Sequence, residues 1–315
     1  MKKILFAVAL CSALFGKPLV TTTILPTQYF VEQIAGDTLE VEALVGKGAD
    51  PHTYEPKPNQ MKSVEKSELH FAVGMEFDEI WLPRLKKQFP NLEIVQTQKG
   101  IEKIAMAPHS HAHHDHDHND HDSIEAISDN HHDEHHHHNH EGHDHAHHHD
   151  HDHSGLDPHV WLDPVLVKTQ AKNILDALKV KYPENSKIYD ENYAKFIKVL
   201  DELDSDIKQK LSNLKTNKFV VYHPSWGYFA KRYNLVQISI EIEGKEPKPA
   251  DLKELIDEIK EESIKVVFVV PQFSKKSAKV IASEANANVV EIDQLPKEWL
   301  DEMKKTVSVF EKALK

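Results

Sequence analysis

Between His109 and His153 lie 21 of the chain's 25 histidines, interleaved with Asp, Glu and Asn. Residues 107–155 offer only Ile124 and Ile127 as large apolar groups. Burial of so little cannot offset the entropy of ordering, so this stretch belongs to no packed core and is expected to be disordered without ligand. It therefore splits the chain into two flanks that must build the fold without it. Its 12 acidic residues, with no Lys or Arg beside them, account for nearly all of the net charge of −13 and leave −1 for the remainder. A nearly neutral remainder gives no basic face for nucleic acid, and none is expected to bind.

The flanks share one rhythm. Strand-like runs at Val20–Ile24, Leu39–Val45, Leu69–Val73 and Leu92–Gln96 alternate with helical patterns around 28–35, 59–66 and 79–89. The second flank repeats the order: strands at 219–222, 236–240, 266–270 and 289–292, with helices at 227–233, 249–262 and 275–284 and a last one from about Glu298. Strands alternating with helices predict an α/β fold of two lobes, each a mostly parallel four-stranded sheet flanked by helices. Between them, Tyr189, Tyr193, Phe196, Leu200, Leu203, Ile207, Leu211 and Leu214 recur at steps of three and four. That stripe predicts one long rigid helix over 185–214, about 45 Å at 1.5 Å per residue, with no internal Gly or Pro. An intramolecular strut is preferred to a coiled-coil seam, so a monomer is expected.

The expected organisation is a signal peptide at 1–16, a first lobe at 17–183 carrying the insertion at about 107–155, a linking helix at 184–214 and a second lobe at 215–315. Lys2 and Lys3 precede the short apolar run Ile4–Leu10, too short to span a bilayer, which reads as an export signal. Cleavage after Ala13 or after Gly16 fits equally. Leu10 is a poor residue before a lipidated cysteine, so anchoring through Cys11 is not expected. Cys11 is the single cysteine, so a metal site here must use histidine and carboxylate.

Imidazole is the commonest biological metal ligand, and the tract points to a transition metal, foremost Zn²⁺. Removing the tract isolates His52, His70, His159 and His223. His70 sits inside a strand and reads as a hydrogen-bonded core or sheet-edge residue. His52, His159 and His223 lie in loops, each beside a proline that stiffens its backbone. His52 and His223 follow predicted strands, as does Asp293, and open α/β sheets bind ligands beyond the carboxyl ends of their strands. His52, His159, His223 and Asp293 thus form the expected four-coordinate zinc set; water or a tract histidine is the alternative to Asp293 at the fourth position. The tract, His109 to His153, is the expected auxiliary, low-affinity metal site. Trp226, Tyr228, Phe229 and Tyr233 read as core packing at helical spacing.

Several segments together resemble the zinc-specific branch of the metal-binding proteins that serve ABC importers, the ZnuA-like family. They are Gly48-Ala49-Asp50-Pro51-His52-Thr53-Tyr54-Glu55-Pro56, Asp157-Pro158-His159-Val160-Trp161-Leu162-Asp163-Pro164 and His223-Pro224-Ser225-Trp226-Gly227-Tyr228-Phe229-Ala230. Glu246-Pro247 and Pro271-Gln272-Phe273 are also similar to that family. The resemblance covers essentially the whole mature chain. It implies metal held between two lobes joined by a rigid helix, a periplasmic location and delivery to an inner-membrane ABC permease. In manganese-binding relatives the third ligand is typically a carboxylate; His223 at that position favours Zn²⁺. The alternatives are an importer component for manganese or another divalent metal, a His-rich metal buffer or adhesin, and a zinc hydrolase. No His-Glu-x-x-His helix supports the last, and no enzyme is expected.

Overall fold

The computed structural model describes residues 16–106, 155–241, 247–272 and 275–315. The export signal (but for Gly16), Cys11, the His-rich tract, Glu246 and Phe273 lie outside the described residues.

The first sheet contains β1 (Leu19–Ile24), β2 (Glu40–Val45), β3 (Leu69–Ala72) and β4 (Glu93–Gln96) in the order β2-β1-β3-β4. All its pairings are parallel. The second contains β5 (Lys218–Val221), β6 (Val236–Ser239), β7 (Val266–Val269) and β8 (Asn288–Glu291) in the order β6-β5-β7-β8, again all parallel. The two flanks thus fold into the same topology, as their common rhythm predicts. In each, the first and third strands are central, and β1 and β7 read as continuous apolar or β-branched runs, as strands covered by helices on both faces do.

The crossover helices of the first sheet are α1 (Leu25–Ala35), α2 (Pro58–Lys66) and α3 (Glu76–Gln88), followed after the tract by α4 (Pro164–Lys181). α4 begins where its sequence demands: Asp163 accepts hydrogen bonds from the Val165 and Leu166 amides, and Pro164 occupies the first turn. The long helix α5 (Ser186–Lys210) buries Tyr189, Phe196, Leu200, Leu203 and Ile207. It ends short of the expected Leu214. Ser212 and Asn213, whose side chains compete for backbone hydrogen bonds, follow directly on Leu211 and terminate it. The second sheet is wrapped by α6 (Gly227–Arg232), α7 (Pro249–Glu261), α8 (Lys276–Glu284) and α9 (Trp299–Leu314).

α5 packs on α1 and α4 on one side and on α9 on the other, so it spans both lobes. One apolar cluster runs from Phe30 and Ile34 of the first lobe through Phe196 of α5 to Trp299, Phe268 and Phe310 of the second. The Trp299 ring meets Phe30 edge-on at 5.1 Å between centroids. A core continuous through the strut resists rigid-body opening, since separating the lobes would expose these aromatic faces to water. A smaller cluster around Val220, Ile259 and Ile281 fills the remaining face of the second sheet. Trp226 and Phe229 are fully buried within the large cluster, as core packing requires. Among the described residues no helix is long and apolar enough to cross a membrane.

Candidate metal centre

His52 lies in the loop after β2, His223 directly follows the β5 end, and His159 opens the short 3-10 turn Val160–Leu162 ahead of α4. The structure brings these three together. One ring nitrogen from each falls within 4.8 Å of the others, the single such group of three or more potential ligands among the described residues. The Nε2 atoms of His159 and His223 are 3.3 Å apart. The ring of His52 stands 5.0 Å from that of His223 and 5.9 Å from that of His159, centroid to centroid. His52 Nε2 is buried without a hydrogen-bond partner. A buried, unpartnered imidazole nitrogen aimed at two others suits a shared cation better than any internal hydrogen bond.

The other nitrogen of each ring is engaged by a carboxylate. His52 Nδ1 lies 2.9 Å from Glu76 Oε2, His159 Nδ1 2.8 Å from Asp157 Oδ1, and His223 Nδ1 2.9 Å from Glu241 Oε2. With the Nδ1 proton donated to a carboxylate, the neutral ring presents the Nε2 lone pair inward. The three acids fix each ring's tautomer and direction and raise its basicity toward a metal.

The two Asp-Pro-His motifs show why the sequence folds this way locally. Proline has no amide hydrogen, so the aspartate carboxylate reaches past it to the histidine amide two residues on. Asp50 Oδ1 accepts from the His52 amide at 3.0 Å, and Asp157 Oδ1 accepts from the His159 amide at 2.8 Å. Each turn is thereby closed on its own aspartate. In the second motif the same oxygen also holds the ring, so backbone and side chain of His159 are fixed from one point.

Electrostatics distinguish the three rings. Burial opposes protonation of His52, but the bonded Glu76, aided by Asp50 and Glu241, outweighs it and lifts the pKa above the ordinary 6.5. Burial pushes Glu76 up, yet His52, by hydrogen bond and charge, brings it down to about 2. His223 is pulled the other way: burial, with the neighbouring imidazoles, holds its pKa below the ordinary value despite Glu241. Every one of these groups is set by its neighbours in the cluster, as at a functional site.

Asp293 does not join. Its Oδ1 accepts from Gln272 Nε2 at 3.0 Å and from the Leu295 amide at 2.9 Å, so the carboxylate is spent shaping the loop after β8. Asp293 does lie beyond a strand end, but its carboxylate is not among the converging ligand atoms. His70, fully buried, sits between Thr21 Oγ1 at 3.0 Å and Thr23 Oγ1 at 3.1 Å, in the hydrogen-bonded core role expected of it. The sequence reading missed Glu76, Asp157 and Glu241. Asp157 carried a usable signal in its Asp-Pro-His motif. Glu76 and Glu241 lie beyond the ends of β3 and β6, and only the topology brings them to the histidines.

Two parallel α/β sheets with ligand-type side chains collected beyond their carboxyl ends define a two-lobed solute-binding protein. The chain belongs to the family described as zinc-uptake complex component A, periplasmic (ZnuA), which matches residues 20–313. It is 30% identical to the zinc-binding lipoprotein AdcA of Streptococcus pneumoniae, over 100% of this chain and 60% of that protein. The chain thus spans about 60% of that relative's length. It is 29% identical to the high-affinity zinc uptake system protein ZnuA of Bacillus subtilis, over 88% of this chain and 78% of that one. A crystal structure of a ZnuA deletion mutant with zinc bound superposes with a TM-score of 0.78 at 35% identity, covering 95% of this chain and 98% of that one.

Proposed function

We propose that this chain captures Zn²⁺ between its lobes, with His52, His159 and His223 as ligands, and hands it as cargo to an inner-membrane ABC importer from the periplasm. The observation that carries this reading is the convergence of three ring nitrogens, each backed by a carboxylate on the opposite nitrogen. Three neutral imidazoles favour zinc over the harder manganese ion, whose preferred ligands are oxygens. The three carboxylates beside the rings are committed to Nδ1 hydrogen bonds, which leaves imidazole nitrogens as the converging atoms. Relatives named for zinc uptake and zinc binding support the same cargo. A water molecule completes four-coordination in this proposal, since Asp293 is engaged elsewhere.

The lobes and strut suit capture without a large closing motion. The exposed side of the cluster is His52, whose side chain is 18% accessible, while His159 and His223 are 1% and 7% accessible. Metal therefore reaches the buried pair past His52. The His-rich tract is an accessory element in this reading, raising the local metal concentration available to the three histidines.

Competition against a strong zinc chelator tests the assignment. The wild-type chain should hold one tight zinc equivalent, and a chain lacking residues 109–153 should retain it. The triple replacement of His52, His159 and His223 by Ala should weaken it by orders of magnitude. Equal titrations of triple variant and wild type would refute the site. Loss of the tight equivalent on deleting the tract would instead favour a His-rich buffer.

A further inference from the structure

His159 belongs by chain order to the first lobe, but its surroundings do not. From Asp157 to Asp163 every second residue meets the second lobe. The Tyr228 hydroxyl donates to the Asp157 carbonyl at 2.8 Å and accepts from the Ile104 amide at 3.2 Å. His159 meets His223. Trp161 Nε1 donates to the Gln294 carbonyl at 2.7 Å, and its own carbonyl accepts from Trp299 Nε1 at 2.9 Å. Asp163 pairs with Arg232, Nη2 to Oδ2, at 2.8 Å. All four residues are at most 2% exposed. His52, by contrast, donates its amide to Asp50 and pairs through Nδ1 with Glu76, both of its own lobe.

Gly227 shows how closely this grip is fitted. A Cβ on Gly227 would stand 2.6 Å from Asp157 Oδ2, well inside contact distance, and at an ordinary 3.5 Å from Ile104 Cδ1. Gly227 does not have a positive φ, so its backbone would accept any residue. Its missing side chain serves the carboxylate. That carboxylate is the one whose other oxygen holds both the amide and the ring of His159.

We propose that Gly227 and Tyr228 are positioning residues for the metal site: through Asp157, the second lobe sets the ring of His159. His159 and His223 are then a preset pair carried by one lobe, and His52 is the ligand the other lobe adds. The inference rests on the reading of the three histidines as metal ligands.

The test uses the full chain and two probes, Co²⁺ for its ligand-field spectrum and Zn²⁺ in chelator competition. Gly227→Ala and Tyr228→Phe are each made alone and with Asp157→Ala, and the metal-free melting temperature of each is recorded. Gly227→Ala should weaken zinc about 10-fold or more, within the range for disturbing a ligand's supporting carboxylate, and should shift or weaken the tetrahedral Co²⁺ bands. With Asp157→Ala in place the clash is gone, so the same substitution should cost less than about 3-fold, the non-additivity expected of groups acting as one unit. Tyr228→Phe, which removes one hydroxyl and leaves the ring packing, should shift the spectrum in the same direction by a smaller amount. A full loss that persists with Asp157→Ala would overturn the proposal. So would lowered melting temperatures with an unchanged Co²⁺ spectrum in both variants, because a purely structural role predicts that. A His159→Ala chain that binds both probes like wild type would overturn the ligand reading beneath it.

Discussion

Acidification gives a sharp test of the first lobe's interior. His70 is fully buried between two threonine hydroxyls, and among the described residues no acid is bonded to its ring. Burial drives its pKa from 6.5 down to about 3. The unfolded chain takes up this proton near pH 6.5, whereas the native chain refuses it until near pH 3. Between those values the unfolded state binds more protons, so stability falls as pH falls. At about 1.4 kcal/mol per pH unit, the full window amounts to about 5 kcal/mol, and the part between pH 7 and pH 5 to about 2 kcal/mol. His70→Asn keeps a polar side chain but removes the titration. Urea unfolding of both metal-free proteins at pH 7 and pH 5 isolates this effect, because groups common to both chains cancel. Wild type should lose about 2 kcal/mol more than His70→Asn over that interval. Parallel losses in the two proteins would refute the argument, and would mean that the native ring takes up its proton as readily as the unfolded one.

Two further outcomes concern the metal site. Glu241→Gln keeps the shape at His223 but removes the charge behind its Nδ1, and should weaken zinc by about 10- to 100-fold in chelator competition. Wild-type affinity would show the carboxylate to be a bystander. Zinc affinity should also fall as pH drops from 8 to 6, since each ligand binds as neutral imidazole. His52, whose pKa Glu76 and its neighbours hold above 6.5, is the first to compete for a proton, so the decline should already be visible above that pH in a competition series. A flat profile down to pH 6 would refute the role of His52.

What the sequence made legible follows from the range of the forces involved. Strand and helix placement came from short-range periodicity, and the order of elements in both sheets matched it. The start of α4 was readable because Asp163 caps it within three residues. The end of α5 was misjudged, because an apolar stripe continues through Leu211 and Leu214 after the hydrogen-bonded helix has stopped. The convergence of the three histidines was readable because proline and strand ends mark their loops. The place of Asp293 was not. Asp293 satisfies the same positional rule, and only its hydrogen bonds to Gln272 and Leu295 set it apart.

The carboxylates behind the histidines explain why position alone was insufficient. His52 and Glu76 are 24 residues apart, and His223 and Glu241 are 18 apart. Each acid follows a different strand from its histidine, so the pair exists only once the sheet has formed. Three buried or half-buried carboxylates around three imidazoles would be costly in an empty, dry cleft, because neither all-neutral nor all-charged rings satisfy every group. A divalent cation at the inward nitrogens resolves that conflict. It satisfies the lone pairs and leaves each Nδ1 proton to its acid. That balance supports the proposed zinc-bound state, and the groups behind it come from four strand ends together with the Asp157–His159 turn.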